Sequence, residues 1–350
     1  MAYSNIKDPS AYFQTALWTG SNSQQAITND GNSDLKPDWL WIKQKNGTEN
    51  HMLVDSTRGV TKYLLSDSTT GEQTVTSRVE TLDTDGFTVN GSSNPVNASG
   101  GTYVGWQWVA NGGTTSTNTA GTINTTIQTN TTAGFSICTH DGNGTSGATF
   151  GHGLGVKPDF IMAKRRDGVT NWRCYHPYLG ATKTILLNTS DAAFDSSDSW
   201  NNTEPTSTLL SVGSGSRTNA TGSPIMFYIF TSKQGYSKFG SYKGNGNANG
   251  SFVYTGFKPA FVITKSTSTG SWSLYDHKRS GYNPIDVWLR SNGTDAESTS
   301  AISGDDIDLL STGFKLRNSD NTINANGQAY IYLAWAENPF VAGGVPTTAR

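Results

Sequence analysis

The apolar residues of this chain come in short runs of about four to eight residues, separated by clusters of Gly, Asn, Ser and Thr. Runs of that length bounded by turn-forming residues read as β-strands. Helical spacing is nearly absent: Leu64-Leu65 and the group Ile307, Leu309 and Leu310 offer at most one turn. Some runs, such as Trp39-Leu40-Trp41-Ile42, are apolar on both faces, which predicts a central strand with a layer on each side.

Three segments repeat one order of landmarks. Each opens with an aromatic strand and glycine: Tyr12-Phe13 through Leu17-Trp18-Thr19-Gly20, Gly134-Phe135-Ser136-Ile137 closing on Asp141-Gly142, and Gly235-Tyr236 through Tyr242-Lys243-Gly244. A Lys-Pro pair then leads into an apolar strand, at Lys36-Pro37, Lys157-Pro158 and Lys258-Pro259. Proline cannot donate to a strand ladder, so it belongs where a strand begins. An Asn-Ala-x-Gly turn follows at Asn97, Asn219 and Asn324, each before a long aromatic strand. Asn and Gly tolerate positive φ, so this tetrad reads as a register-setting turn. Lys36 to Asn97, Lys157 to Asn219 and Lys258 to Asn324 span 61, 62 and 66 residues. Three landmarks in one order at near-equal spacing point to internal repetition.

The expected organisation is an arm over 1–11, repeats over 12–110, 133–232 and 233–340, a linker over 111–132 and an arm over 341–350. The linker is Gly, Thr, Asn and Ser with few bulky residues and reads as extended or laid on the surface, with Ile123 and Ile127 able to add one edge strand. Both arms are expected to order only against neighbours. Each repeat holds about seven strand candidates in about a hundred residues, a number best buried by two packed antiparallel sheets. The expected fold is all-β: three tandem antiparallel β-sandwiches, concanavalin A-like or jelly-roll-like.

Composition narrows the function. Only 15% of the 350 residues are charged and the net charge is -2, with no long run of either sign. That argues against nucleic acid as a partner. Ten tryptophans and 11% aromatics are too much apolar area for disorder. The two cysteines, Cys138 and Cys174, permit no disulfide framework or CxxC metal pair and read as small apolar strand residues. The first residues lack a basic end followed by an apolar stretch, and no apolar run reaches the roughly 20 residues of a membrane span. The expectation is a soluble product without membrane insertion.

No catalytic constellation stands out, and no cofactor is expected. His51, His140, His152, His176 and His277 form no metal-ligand spacing; His140 and His152 read as solvated loop residues. Asp30 with Asp34, Asp83 with Asp85, and Asp305-Asp306 with Asp308 could offer oxygens to Ca²⁺, although ordinary turn use explains them as well. The first and third repeats share Asp-x-x-Arg, at Asp55 and Arg58 and at Asp276 and Arg279, read as exposed ion pairs that pin a loop. The second repeat has His176 and Leu179 near that place. Aromatics among Asn-rich loops suit sugars, because a ring stacks on a pyranose while amides bond its hydroxyls. The candidate ligand-binding residues are Trp200, Asn201, Asn202, Trp272, Tyr282 and Trp288, with core packing as the competing use of each tryptophan.

The stretches Gly151 to Pro158, Gly235 to Gly246 and Ala336 to Phe340, with the landmark order above, resemble a family of tandem-repeat proteins encoded by tailed bacteriophages, common in marine phages. The resemblance covers about Tyr12 to Phe340. It implies a lectin-like β-sandwich and a virion structural, tail-fibre-like role, in a product made in the host cytoplasm. The resulting expectation is a non-enzymatic protein recognising a host-surface glycan. The alternative is a capsid-decoration or assembly protein without glycan binding. Other virion proteins are the expected partners, and a homo-oligomer, a trimer by analogy with phage fibres, is the expected state.

Overall fold

The computed structural model describes residues 4–91, 94–299, 306–339, 341–342 and 345–346. The chain is all-β, with helix confined to single turns such as Ser197–Trp200 and His277–Ser280. Three six-stranded antiparallel sheets dominate. The first runs Phe13–Thr19, Thr102–Trp108, Trp39–Gln44, Met52–Asp55, Lys62–Leu65, Gln73–Thr74. The second runs Ser116–Asn118, Thr125–Asn130, Phe135–Asp141, Pro224–Phe230, Phe160–Arg165, Arg173–Tyr175. The third runs Ser237–Lys243, Ala329–Pro339, Phe257–Ser266, Trp272–Asp276, Val287–Arg290, Ser298–Thr299. All three share one order of four strands: the opening strand, the strand after Asn-Ala-x-Gly, the Lys-Pro strand and the strand that follows it.

The registers make positions comparable. Trp39 pairs with Trp108, Phe160 with Phe230 and Phe261 with Trp335. Trp108, Phe230 and Trp335 then meet, with ring centroids 5.3 to 6.5 Å apart. Around them Trp39, Trp41, Phe160, Met162, Phe261 and Ile263 build one continuous core fed by all three sheets. Alternate residues of the same strands face the other way. Leu40 and Ile42 pack with Ile27, Phe87 and Val89 of a three-stranded sheet; Ile161 and Ala163 pack with Phe150, Leu210 and Val212; Val262 packs with Val253, Phe314 and Leu316. The two-faced apolar run in the sequence thus has a local layer on one side and the other large sheets on the other.

The landmark residues clamp each other. A Cβ on Gly20, Gly142 or Gly244 would fall 2.1 to 2.3 Å from the carbonyl oxygen of Ala98, Ala220 or Ala325. Only glycine lets the first landmark lie against the third. The buried asparagine fixes the contact. Asn219 Oδ1 accepts from Asn143 N at 2.9 Å, while its Nδ2 donates to Thr145 O and Gly213 O. Asn97 bonds Ser21 N and Ser23 O, and Asn324 bonds Asn245 N and Asn247 O, in the same pattern. Positive φ in the tetrad falls to Gly100, Gly222 and Gly327; the asparagine acts through its side chain. Pro259 lies inside its strand rather than before it, at a register irregularity that spares it a ladder bond.

Contacts between the large sheets recur in cyclic order. Glu72 N donates to Arg166 O, Ala193 N to Thr267 O and Glu297 N to Lys45 O, joining the first sheet's end to the second, the second's to the third and the third's to the first. The Lys-Pro strands end on buried lysines that cross the same seams: Lys164 Nζ to Thr69 O, Lys265 Nζ to Asp191 O and Lys43 Nζ to Thr294 O, at 2.9 to 3.0 Å. Trp172 Nε1 donates to Leu65 O and Trp272 Nε1 to Leu186 O, both at 2.8 Å. At the third seam buried His51 stands at the matching place, its Nδ1 accepting from Trp41 Nε1 at 2.9 Å.

Two expectations about segments change. Residues 111–132 are more than a linker with room for one edge strand, since Ser116–Asn118 and Thr125–Asn130 both extend the second sheet. The N-terminal arm is packed from Ser4, with Ile6 in the shared core and Pro9–Ala11 forming a 3-10 turn. In the C-terminal arm Val341–Ala342 pairs with Val345–Pro346, and the rest lies outside the described residues.

Candidate binding site

The Asp-x-x-Arg motifs build the most connected polar clusters. Asp276 ends a strand and caps the turn His277–Ser280, accepting from Lys278 N and Arg279 N. Arg279 closes back on it, Nε to Oδ2 at 2.6 Å, and also bonds Glu297 and Leu274 O. Trp106 of the first sheet donates its Nε1 to Asp276 Oδ2 at 3.1 Å. Asp55 and Arg58 repeat this at 2.5 Å, with the Tyr228 hydroxyl of the second sheet donating to Asp55 at 2.7 Å. Glu72 links Arg58 to Arg166. By register Tyr228 and Trp106 hold the same position. Both Asp–Arg pairs are fully buried, so the exposed loop pins expected from sequence are internal seams between sheets. Burial alone would raise the Asp276 carboxyl, but the adjoining Arg279 outweighs it and holds the pKa below its ordinary value. Every nitrogen of the two guanidinium groups bonds a protein oxygen, which leaves these groups to hold the fold.

Of the residues expected to bind ligand, three are core. Trp200 is 2% exposed, Trp272 0% and Trp288 5%, each in a different hydrophobic cluster. None has a free face to stack on a sugar, because their rings fill space that strand packing leaves. Asn201 and Asn202 sit in left-handed backbone after the turn Ser197–Trp200, and Asn201 accepts from Ser146 Oγ. Tyr282 is 81% exposed. His140 and His152, expected in solvent, are buried; His140 lies between Phe150 and Phe227. Burial lowers its pKa to about 4. Cys138 and Cys174 are buried strand residues.

Most of the aspartates considered for Ca²⁺ have protein partners, Asp308 pairing with Arg317, whereas Asp306 Oδ1 is buried without a hydrogen bond. Asp30 pairs with Lys278, Asp83 accepts from Thr88 and Asp85 from Leu35 N; Asp305 lies outside the described residues. Among the described residues no group of three His, Cys, Asp or Glu could hold a metal ion.

Two cavities flank His277. One, of about 200 Å³, is lined by Lys258, Tyr282, Asn283, Leu309 and Ser311. The other, of about 230 Å³, lies where the first and third sheets meet, between Thr15, Asp30 and Asn32 on one side and Ala260, His277 and Lys278 on the other. Sequence reasoning noted Tyr282, Asp30 and His277 separately. It had no signal for Thr15, which lies 262 positions before His277 and joins it only through the closure of the third sheet on the first.

The chain belongs to a family described as a domain of unknown function, DUF7483, whose pattern matches residues 8–339. No curated protein and no solved structure matches. No helix among the described residues is long and apolar enough to cross a membrane.

Proposed function

We propose that the chain is three copies of one β-sandwich unit closed on themselves, and that it serves as a virion structural, tail-fibre-like protein that recognises a host-surface glycan without catalysing a reaction. The repeated clamp and the cyclic seams support the three-copy reading. One family pattern running over nearly the whole chain agrees with units that share a core. Such a chain carries within itself the threefold arrangement that a fibre tip otherwise reaches by trimerising, so a monomer or a trimer of it would each present repeated surfaces.

The observation that carries the glycan reading is Tyr282, an almost fully exposed aromatic ring beside a cavity of mixed lining. A ring in that setting offers an apolar face to a pyranose, with hydroxyl and amine groups close by. The purified full chain should bind host cells or an array of host-surface oligosaccharides, and Tyr282→Ala should weaken binding at least tenfold. Binding that is absent, or indifferent to this change, refutes the reading.

A second observation favours the assembly alternative. Phe252 and Tyr254 are 48% and 53% exposed on one face of an edge strand. Such a pair suits docking on another virion protein. Saturable binding to purified capsids, lost in Phe252→Ser, with no glycan binding, would select that alternative.

A further inference from the structure

The geometry points to the cavity between the first and third sheets as a subsite for one neutral, hydroxyl-rich sugar residue, a placement that rests on the glycan reading above. Its volume is about 230 Å³, and its lining is mixed. Thr15, 3% exposed, lines this space, and its buried hydroxyl has no hydrogen-bond partner. A buried unpaired hydroxyl is costly unless something occupies the space beside it. At the mouth Lys278 Nζ lies 2.7 and 2.6 Å from the two oxygens of Asp30. The two charges cancel, so the site has no net preference for an ion, while the carboxylate accepts and the ammonium donates. His277 Nδ1 faces the Ala260 carbonyl at 3.1 Å. A carbonyl can only accept, so in the neutral ring Nδ1 carries the proton and Nε2 is an acceptor.

The matching seam between the first and second sheets shows what such a place holds when filled. The register that aligns Asp55 with Asp276 aligns Ser56 with His277 and Thr57 with Lys278. There Gln128, from a strand added between the repeats, donates Nε2 to Ser56 Oγ at 2.9 Å and to Thr57 Oγ1 at 2.7 Å, and accepts from Gly113 N. A small neutral polar group of this chain thus plugs one seam. The first sheet opens with Phe13–Thr19 at its edge and has no such added strand, and its seam with the third sheet is open. A ligand of like polarity there would touch both sheets and brace their closure. Tyr282, across His277, is placed to stack on the next sugar of a chain.

The test uses the full chain with methyl galactoside, methyl glucoside and methyl N-acetylglucosaminide, read by saturation-transfer NMR and isothermal titration, and the array oligosaccharides. The variants are Thr15→Val, which keeps the shape and removes the hydroxyl, Lys278→Met, and Tyr282→Ala. The expected result is binding of at least one sugar, weakened about tenfold by Thr15→Val and by Lys278→Met, with the melting temperature of unliganded Thr15→Val not lowered. Sugar binding lost in Tyr282→Ala but unchanged in both other variants overturns the subsite and leaves the glycan reading standing. No binding to any sugar overturns both.

Discussion

The hydroxyl of Tyr228 donates to Oδ2 of Asp55 at 2.7 Å, joining residues 173 positions apart and two different sheets. Asp55 also holds Arg58, and neither side chain of that pair reaches solvent. Removing one partner of a buried pair leaves the other charge uncompensated.

Asp55→Ala should therefore lower unfolding free energy by about 3–5 kcal/mol, and Tyr228→Phe by about 1–3 kcal/mol. The double variant should cost less than the sum, because both changes break one network. Urea denaturation of the four proteins measures this; strict additivity would show that the two residues act separately.

Asn219 makes the clamp between its turn and the Asn143 loop. Asn219→Ala strands the Asn143 amide and the Gly213 carbonyl and takes one of two donors from Thr145 O, so a loss of about 2–3 kcal/mol is expected. Gly142→Ala attacks the same contact from the other side by placing a methyl against Ala220 O. Both variants should speed hydrogen exchange of the amides of 143–145, and unchanged exchange there would count against the clamp.

Acid should loosen the protein through its buried histidines. Burial lowers His140 to about 4 and His176 to about 3, from an ordinary 6.5. Above pH 6.5 neither state is protonated and the contribution is full. Below 6.5 the unfolded chain takes up protons first, so stability falls by about 1.4 kcal/mol per pH unit for each histidine until the folded values are reached. His140→Phe, which keeps an aromatic between Phe150 and Phe227, should remove one histidine's share of that slope in melting curves taken from pH 7 to 4, since burial lowers His51 and His152 as well.

The seam lysines act in the opposite window. Burial brings Lys164 down to about 7 and Lys43 and Lys265 to about 8, from 10.5; nearby Asp67 and Glu49 limit the fall at Lys43. From about pH 7 to 10 the unfolded chain therefore holds more lysine protons than the folded one, and stability should rise with pH. Lys164→Met should flatten the rise, at the cost of one unsatisfied carbonyl, Thr170 O, since Thr69 O still accepts from Thr170 N. A melting temperature independent of pH across this range in the unaltered protein contradicts the assignment.

The residues legible in the sequence were those whose role is local. Glycine and asparagine at a turn, proline near a strand's start and two-faced apolar runs follow from backbone sterics and from the period of two along a strand. Lys36-Pro37 and its counterparts therefore marked true strands, and Trp39-Leu40-Trp41-Ile42 is covered on both faces. The tryptophan candidates are all core because sequence shows where a tryptophan stands and not what lies above its ring. Trp200, Trp272 and Trp288 are near turns and still fully packed, whereas Tyr282 is outside.

By itself, then, the sequence determined that the chain makes short antiparallel strands in three similarly ordered segments, since those signals are set by neighbours within a few residues. Tertiary structure alone decided that the segments share one aromatic core, that Asp55 and Asp276 are interior groups and that Thr15 meets His277 at a polar cavity. Those outcomes depend on which sheet face meets which, and contacts across 170 to 262 positions leave no periodic trace along the chain.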